Sequence, residues 1–282
     1  MSLNNRDTIE LSVGSLKRYV DELVVVDGGS TDGTAKAAAA LGARIVVNPW
    51  PGDFSVQRQV YIDDILARHD RDDVWALILD SDETLCGSFD RGLLMQWQKE
   101  GVESAWLPRR WLVVHRGVVK YLAAYPHWPD WQHRLVHVTA RVRHSGPIHV
   151  QVDGIGPGVR GGNVPTILHL DFMLRSYAER LAKVALYGAR EVLSGYPYYY
   201  LFEDYGYRLK QLRPEEGCDS PEQLLRFGLV RLVGSNKWNA FRYWVSPLGF
   251  HRHVFYRLAG PLGSRIKRTV RRMQAGPRQD SR

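Results

Sequence analysis

The chain has 282 residues, 44% of them hydrophobic, only two cysteines, and a formal net charge of +8. That length can bury one substantial core with a smaller appended unit, and without a CxxC or Cys/His cluster it indicates no structural zinc site. No apolar run reaches the roughly 18 residues of a spanning helix and the N-terminus lacks the apolar core of a secretory signal, so the expectation is a cytoplasmic protein, soluble or peripheral on the inner face of the membrane.

Asp7 followed by Glu10 reads as a helix start, and Ile9, Val13, Leu16 and Val20 recur at helical spacing up to a strand near Glu22. Residues 23–34, LVVVDGGSTDGT, are an aliphatic run ending in a polar, glycine-containing turn. A buried parallel strand delivers acids to a sheet edge in this way, and glycine lets backbone approach a ligand closely. Residues 35–41 read as a short alanine-rich helix closed by Gly42, and 44–48 as the next strand, a βαβ unit that makes the sheet parallel at its centre. A helix starts at Ser55, with Val56, Val60, Leu66 and Ala67 toward the core and Arg58 in its first turn.

Residues 75–79 form the next expected strand, and Asp80 and Asp82 follow on either side of Ser81. In extended geometry the two aspartates share a face, and paired carboxylates suit Mg²⁺ or Mn²⁺ with a diphosphate completing the shell. Taken alone, either acidic stretch is equally an ordinary turn. Residues 89–99 look helical and 105–115 alternate as a strand. The dense segment 125–150, YPHWPDWQHRLVHVTARVRHSGPIHV, sets Asp130 among aromatics able to stack on a sugar. Asp130 is a candidate general base, with pairing to Arg134 as its structural alternative. Residues 154–162, GIGPGVRGG, read as a flexible loop, because they do not join a strand to a helix. His169 follows near the end of 167–170, and 176–193 is an amphipathic helix carrying Leu181, Val184, Ala185, Tyr187 and Val192.

Together these stretches resemble family 2 glycosyltransferases of GT-A fold over roughly residues 4–169. The glutamate in Asp80-Ser81-Asp82-Glu83 is similar to the bacterial lipopolysaccharide-core glucosyltransferase branch. Pro129, Asp130, Gln132, Arg134 and Leu135, with Gly146, Ile148 and His149, match a second family segment. The resemblance implies an α/β, GT-A fold with a mixed, centrally parallel sheet flanked by helices. It also implies an inverting transfer of a hexose from a nucleotide-diphosphate sugar, most simply a UDP-sugar, to a glycan or lipid-linked hydroxyl, assisted by Mn²⁺ or Mg²⁺. Asp27 would contact the base, with Gly29 and Ser81 in the same nucleotide-sugar site. Arg58 would sit on the diphosphate, Asp80 would help through the metal shell and the ribose, Asp82 would bind the metal directly, and His149 would be a further ligand. Val150 stands where the family often has glutamate, so Asp130 or Asp153 would have to serve if that glutamate were the base.

The resemblance also implies a strand before the first helix, where only Met1 to Leu3 precede Asn4; that strand is expected to be short or missing. The domains expected are 1–170 and a helical, aromatic and basic extension, 171–282. Within it, residues 223–279 hold twelve Lys and Arg and no Asp or Glu. Cations among aromatics fit an anionic membrane surface, and no motif supports nucleic acid. The rival readings are a nucleotidyltransferase of similar fold and a non-catalytic GT-A domain.

Overall fold

The computed structural model describes residues 1–70, 72–123, 127–146, 150–160, 164–190, 200 and 209–212. In chain order the elements are α1 (Arg6–Leu16), β1 (Val24–Asp27), α2 (Thr34–Ala40), β2 (Arg44–Val47), α3 (Phe54–Arg68), β3 (Trp75–Leu77), β4 (Glu83–Cys86), α4 (Gly92–Lys99), β5 (Ser104–His115), β6 (Val118–Leu122), β7 (Asp130–His137), β8 (Arg143–Ser145), β9 (Gln151–Asp153), β10 (Gly158–Arg160), β11 (Thr166–His169), α5 (Asp171–Leu174), α6 (Tyr177–Arg190) and β12 (Leu209–Gln211). His149 and residues 223–279, both singled out in the sequence, lie outside the described residues.

The βαβ unit forms as its spacing requires: β1 and β2 pair in parallel from Val24↔Arg44 to Asp27↔Val47, with α2 as the crossover. The larger sheet is mostly antiparallel and is built around β5. The amino half of β5 pairs antiparallel with β7, which in turn pairs antiparallel with β3. Its carboxyl half forms a hairpin with β6, and β10 and β11 join its other edge in parallel. Only a crossover makes a parallel pair, so the tight Arg116-Gly117 connection between β5 and β6 dictates antiparallel pairing there. Ala105, Leu107, Leu135 and Ile167, each at most 3% exposed, form one core cluster with Tyr19 of the α1–β1 connection and Trp97 of α4.

Three expectations are corrected. Residues 154–162 are not simply a loop, because 158–160 form β10 against β5. A Cβ at Gly158 would stand 2.4 Å from Ser104 Oγ, so close strand approach accounts for glycine there. Helix α3 starts one residue early, with the Asp53 carboxylate capping the backbone N–H groups of Ser55 and Val56. Its buried face is centred on Ile62, flanked by Tyr61, Ile65 and Leu66, whereas Val56 and Ala67 are exposed. On helix α6 Val184 faces inward as expected, with Tyr177 and Arg180, whereas Leu181 and Ala185 are exposed; Val192 and the side chain of Tyr187 lie outside the described residues. Arg180 donates to the Tyr200 carbonyl at 2.8 Å and lies over the Phe172 ring, so polar anchoring overrides the apolar periodicity.

Helices α5 and α6 pack on the same body: Phe172, Tyr177 and Val184 share a cluster with Trp111, Val113 and Leu122. At the other end, Ser2 makes an isolated parallel bridge to Asp27, donating to the Val26 carbonyl at 2.9 Å and accepting from Gly28 N–H at 2.8 Å. A cavity of about 410 Å³ lies between β1 and β3, lined by Leu23, Val24 and Val25 on one side and Trp75, Ala76 and Leu77 on the other. Among the described residues, no helix is long and apolar enough to cross a membrane.

Because β5 carries the core, Leu107→Ala is expected to lower unfolding free energy by about 2–5 kcal/mol in urea titration. Met95→Ala, at a side chain 66% exposed on α4, should change it by less than about 0.5 kcal/mol.

Candidate functional site

At the end of β1 the Asp27 carboxylate is consumed by its own turn. Oδ2 accepts the backbone N–H groups of Gly29 and Ser30 at 3.1 and 2.8 Å, and Oδ1 accepts the Ser30 hydroxyl at 2.6 Å. Gly29 sits at φ +93°, the left-handed conformation glycine adopts without strain. Asn4 and Asn5 tie the chain ahead of α1 to this turn through Ser30, Thr31 and Thr34. The Asn5 side-chain oxygen also accepts the Ser81 hydroxyl at 2.8 Å, so both acidic turns share one scaffold.

The second turn departs from its expected geometry. Strand β3 ends at Leu77, and Glu83 N–H closes on the Asp80 carbonyl at 3.0 Å, so residues 80–83 form a turn rather than an extended strand. Asp80 and Asp82 consequently meet different partners. Asp80 is held by Arg58 of α3 on Oδ1 and by Arg134 of β7 on Oδ2, both at 2.6 Å. Glu83, fully buried, receives Arg134 at 3.0 Å and Arg109 of β5 at 3.0 Å. Burial is the largest influence on Asp80 and pushes its pKa up, but Arg134 and Arg58 outweigh it and hold the group well below the usual carboxylate range. For Glu83 burial wins and the pKa is raised.

Asp82 meets a separate set of partners. Its Oδ2 accepts Arg175 Nη1 at 2.7 Å and lies 3.9 Å from Lys183 Nζ, while Oδ1 stands 4.0 Å from His169 Nε2. Arg175 also reaches Asp171, which takes Lys183 at 2.9 Å. Burial drives the His169 pKa down to about 3, so its imidazole is neutral, and its Nδ1 is buried without a hydrogen-bond partner.

Asp130 opens β7 and is satisfied by Arg109 Nε at 2.7 Å, Trp111 Nε1–H at 2.8 Å and the Gln132 amide at 2.6 Å. Its structural partner is therefore Arg109 and not Arg134. Burial raises its pKa, but Arg109 and the Trp111 donor outweigh it, leaving a lowered value and an ionised carboxylate at neutral pH.

Of the expected site residues, Asp27, Gly29 and Ser81 lie on the two joined turns, and Arg58 touches Asp80 directly. Asp130 is linked to that cluster through Arg109 and Glu83. Sequence reasoning gave no role to Arg109, His169, Asp171, Arg175 or Lys183. His169 had a signal, a histidine closing an apolar strand, but only the β11–β4 pairing of His169 with Glu83 shows that it reaches the acidic turn. Among the described residues, no three His, Cys, Asp or Glu side chains converge as a ready-made cation site. The donors nevertheless fit a divalent ion shared with a ligand. An ionised carboxylate and a neutral imidazole stand 4.0 Å apart, and both are donors that a divalent ion takes.

A mixed α/β domain with two acidic turns at the sheet edge and guanidinium groups around them is the GT-A arrangement. Residues 2–143, half of the chain, match the family described as Glycosyl transferase family 2, and the chain belongs to that family. It is 38% identical over 82 residues to an uncharacterized glycosyltransferase of Rickettsia bellii, a match covering 29% of this chain and 26% of that one. A similar protein of Rickettsia felis is 35% identical over 82 residues, with the same coverage. A TPR repeat-containing protein of Synechococcus elongatus is 41% identical over 83 residues, covering 28% of this chain and 19% of its own length. The chain thus spans about a quarter of the Rickettsia relatives it matches.

The guanidinium groups also act on His144 of β8. Burial first, then Arg58 and Arg134, lowers its pKa to about 4, while its Nε2 lies 3.2 Å from the Tyr61 hydroxyl. Between about pH 6.5 and 4 the unfolded chain binds more protons at this position than the folded protein, so stability falls as pH falls through that window. The thermal midpoint should therefore drop between pH 7 and 5, and His144→Gln should flatten the drop; an unchanged slope would remove His144 as its source.

Proposed function

We propose that this chain is an inverting glycosyltransferase moving a hexose from a nucleotide-diphosphate sugar to a hydroxyl of a glycan or lipid-linked acceptor in cell-envelope polysaccharide synthesis. The observation that carries the reading is the 80–83 turn, where two carboxylates emerge at the sheet edge beside Arg58, Arg134 and the neutral His169. Arg58 Nε and both Nε and Nη1 of Arg134 are buried without hydrogen-bond partners, a reserve of donors suited to a diphosphate. A bound Mn²⁺ or Mg²⁺, held by Asp82 and His169, would supply charge neutralisation for the departing diphosphate.

In the transfer, the acceptor oxygen bonds to the anomeric carbon as the bond from that carbon to the phosphate oxygen breaks. The nucleoside diphosphate leaves with the electron pair, and the acceptor proton passes to a carboxylate. Asp130 is that carboxylate in our reading: it is ionised, and Arg109 and Trp111 fix its orientation. Asp27 and Gly29 form the wall of the nucleotide pocket, with Ser81 joining it to the second turn. The glutamate that follows the second aspartate, the residue in which the chain resembles the lipopolysaccharide-core branch, is buried between Arg109 and Arg134. The basic, aromatic segment 223–279 supports an acceptor at an anionic membrane surface.

The test is incubation with UDP-, GDP-, CDP- and dTDP-hexoses and lipid-linked glycans, reading product and released nucleotide. Release of a nucleoside diphosphate with one donor, dependent on Mn²⁺ or Mg²⁺ and abolished in Asp82→Asn, is expected. Asp130→Asn should lower kcat by about 10²–10⁴-fold. Release of pyrophosphate, or unchanged turnover in Asp82→Asn, would overturn the reading.

A further inference from the structure

Asp82 and Asp171 are two buried carboxylates neutralised by two cations, and those cations are held unequally. Asp171 is fully buried, and Lys183, with a side chain 17% exposed, reaches it at 2.9 Å and stands 4.3 Å over the Tyr200 ring. Arg175 is 29% exposed and sits just after α5 in extended backbone, bridging both acids through one nitrogen, Nη1. The cluster as it stands is electrically balanced: two carboxylates against one guanidinium and one ammonium.

We infer that Arg175 is a displaceable counter-ion of Asp82 that moves to the donor diphosphate when a divalent cation takes the Asp82 oxygen. This rests on the glycosyltransferase reading of the same site. A divalent ion on Asp82 leaves the cluster with two excess positive charges and places a like charge against the guanidinium. Lys183 keeps Asp171 neutralised, so the departure of Arg175 strands no buried acid. Arg175 can leave because its side chain already reaches solvent, and its planar donors suit a diphosphate in two-point contact. Arg175 therefore opposes metal binding before the donor arrives and supports the donor afterwards. It is a donor-binding residue that makes cation and diphosphate binding mutually dependent.

The experiment measures binding and not turnover. Affinity for Mn²⁺ alone is read by electron paramagnetic resonance of the free ion. Affinity for pyrophosphate and for inorganic phosphate is then read by calorimetry with Mg²⁺ present, so that no nucleotide base need be known. In Arg175→Gln, Mn²⁺ alone should bind about tenfold more tightly and pyrophosphate about tenfold more weakly, with phosphate nearly unchanged; Arg175→Lys should restore part of both effects. A merely structural arginine would weaken both ligands together and lower the thermal midpoint. Unchanged or weaker Mn²⁺ binding in Arg175→Gln, beside a wild type that binds both ligands, overturns this inference and leaves the glycosyltransferase reading standing. A wild type that binds neither Mn²⁺ nor pyrophosphate overturns both.

Discussion

The structure depends on one alternating chain of charge. Arg58, Asp80, Arg134, Glu83, Arg109 and Asp130 follow one another with alternating sign, at 2.6–3.0 Å between successive partners, and they come from α3, the 80–83 turn with the start of β4, and strands β5 and β7. Burying any one of these groups alone would cost several kcal/mol, and the cost is tolerable only because each lies against an opposite charge. Each link also joins elements far apart in sequence, so the sheet can close around the acids only in one register. A slip of one residue would also turn the buried faces of β5 and β7 outward, so apolar burial and the ion pairs fix the same register.

Much of the fold was legible because it is written locally. The LVVVDGGSTDGT run gives strand, turn and helix without reference to the rest of the molecule, and β2, α4 and β5 lie within a few residues of their periodicity. The parallel β1–β2 pair followed from the length of its crossover. The remainder was hidden because it is settled by partners distant in sequence. The expectation that Asp80 and Asp82 share a face assumed that the strand continued, but the turn closed by Glu83 N–H on the Asp80 carbonyl gives them separate partners. Nor could the sequence reveal that His169 lies beside Asp82, since that follows from antiparallel pairing of β11 with β4, more than eighty residues apart. Aromatic neighbours pointed to Asp130, and it does sit in the polar network, but its guanidinium partner comes from β5 rather than its own strand.

Helix α6 is the clearest case of one physical term overriding another. Its apolar residues suggest an inward face through Leu181, Val184 and Ala185, yet of these only Val184 is buried, and Arg180 and Lys183 point inward beside it. Two buried carboxylates and the Tyr200 carbonyl provide what a hydrophobic stripe cannot: partners for cations. The helix is oriented by the polar cluster it completes, and α5 and α6 are consequently joined to the chemistry of the 80–83 turn as well as to the core.

The cavity between β1 and β3 bears on where solvent enters the fold. It is partly open, and its lining mixes Val25, Ala76 and Leu77 with Asp21, Glu22 and Asp73, so water reaches it in the folded state. The edges of β1 and β3 therefore meet solvent along a front of their own, apart from the body built on β5.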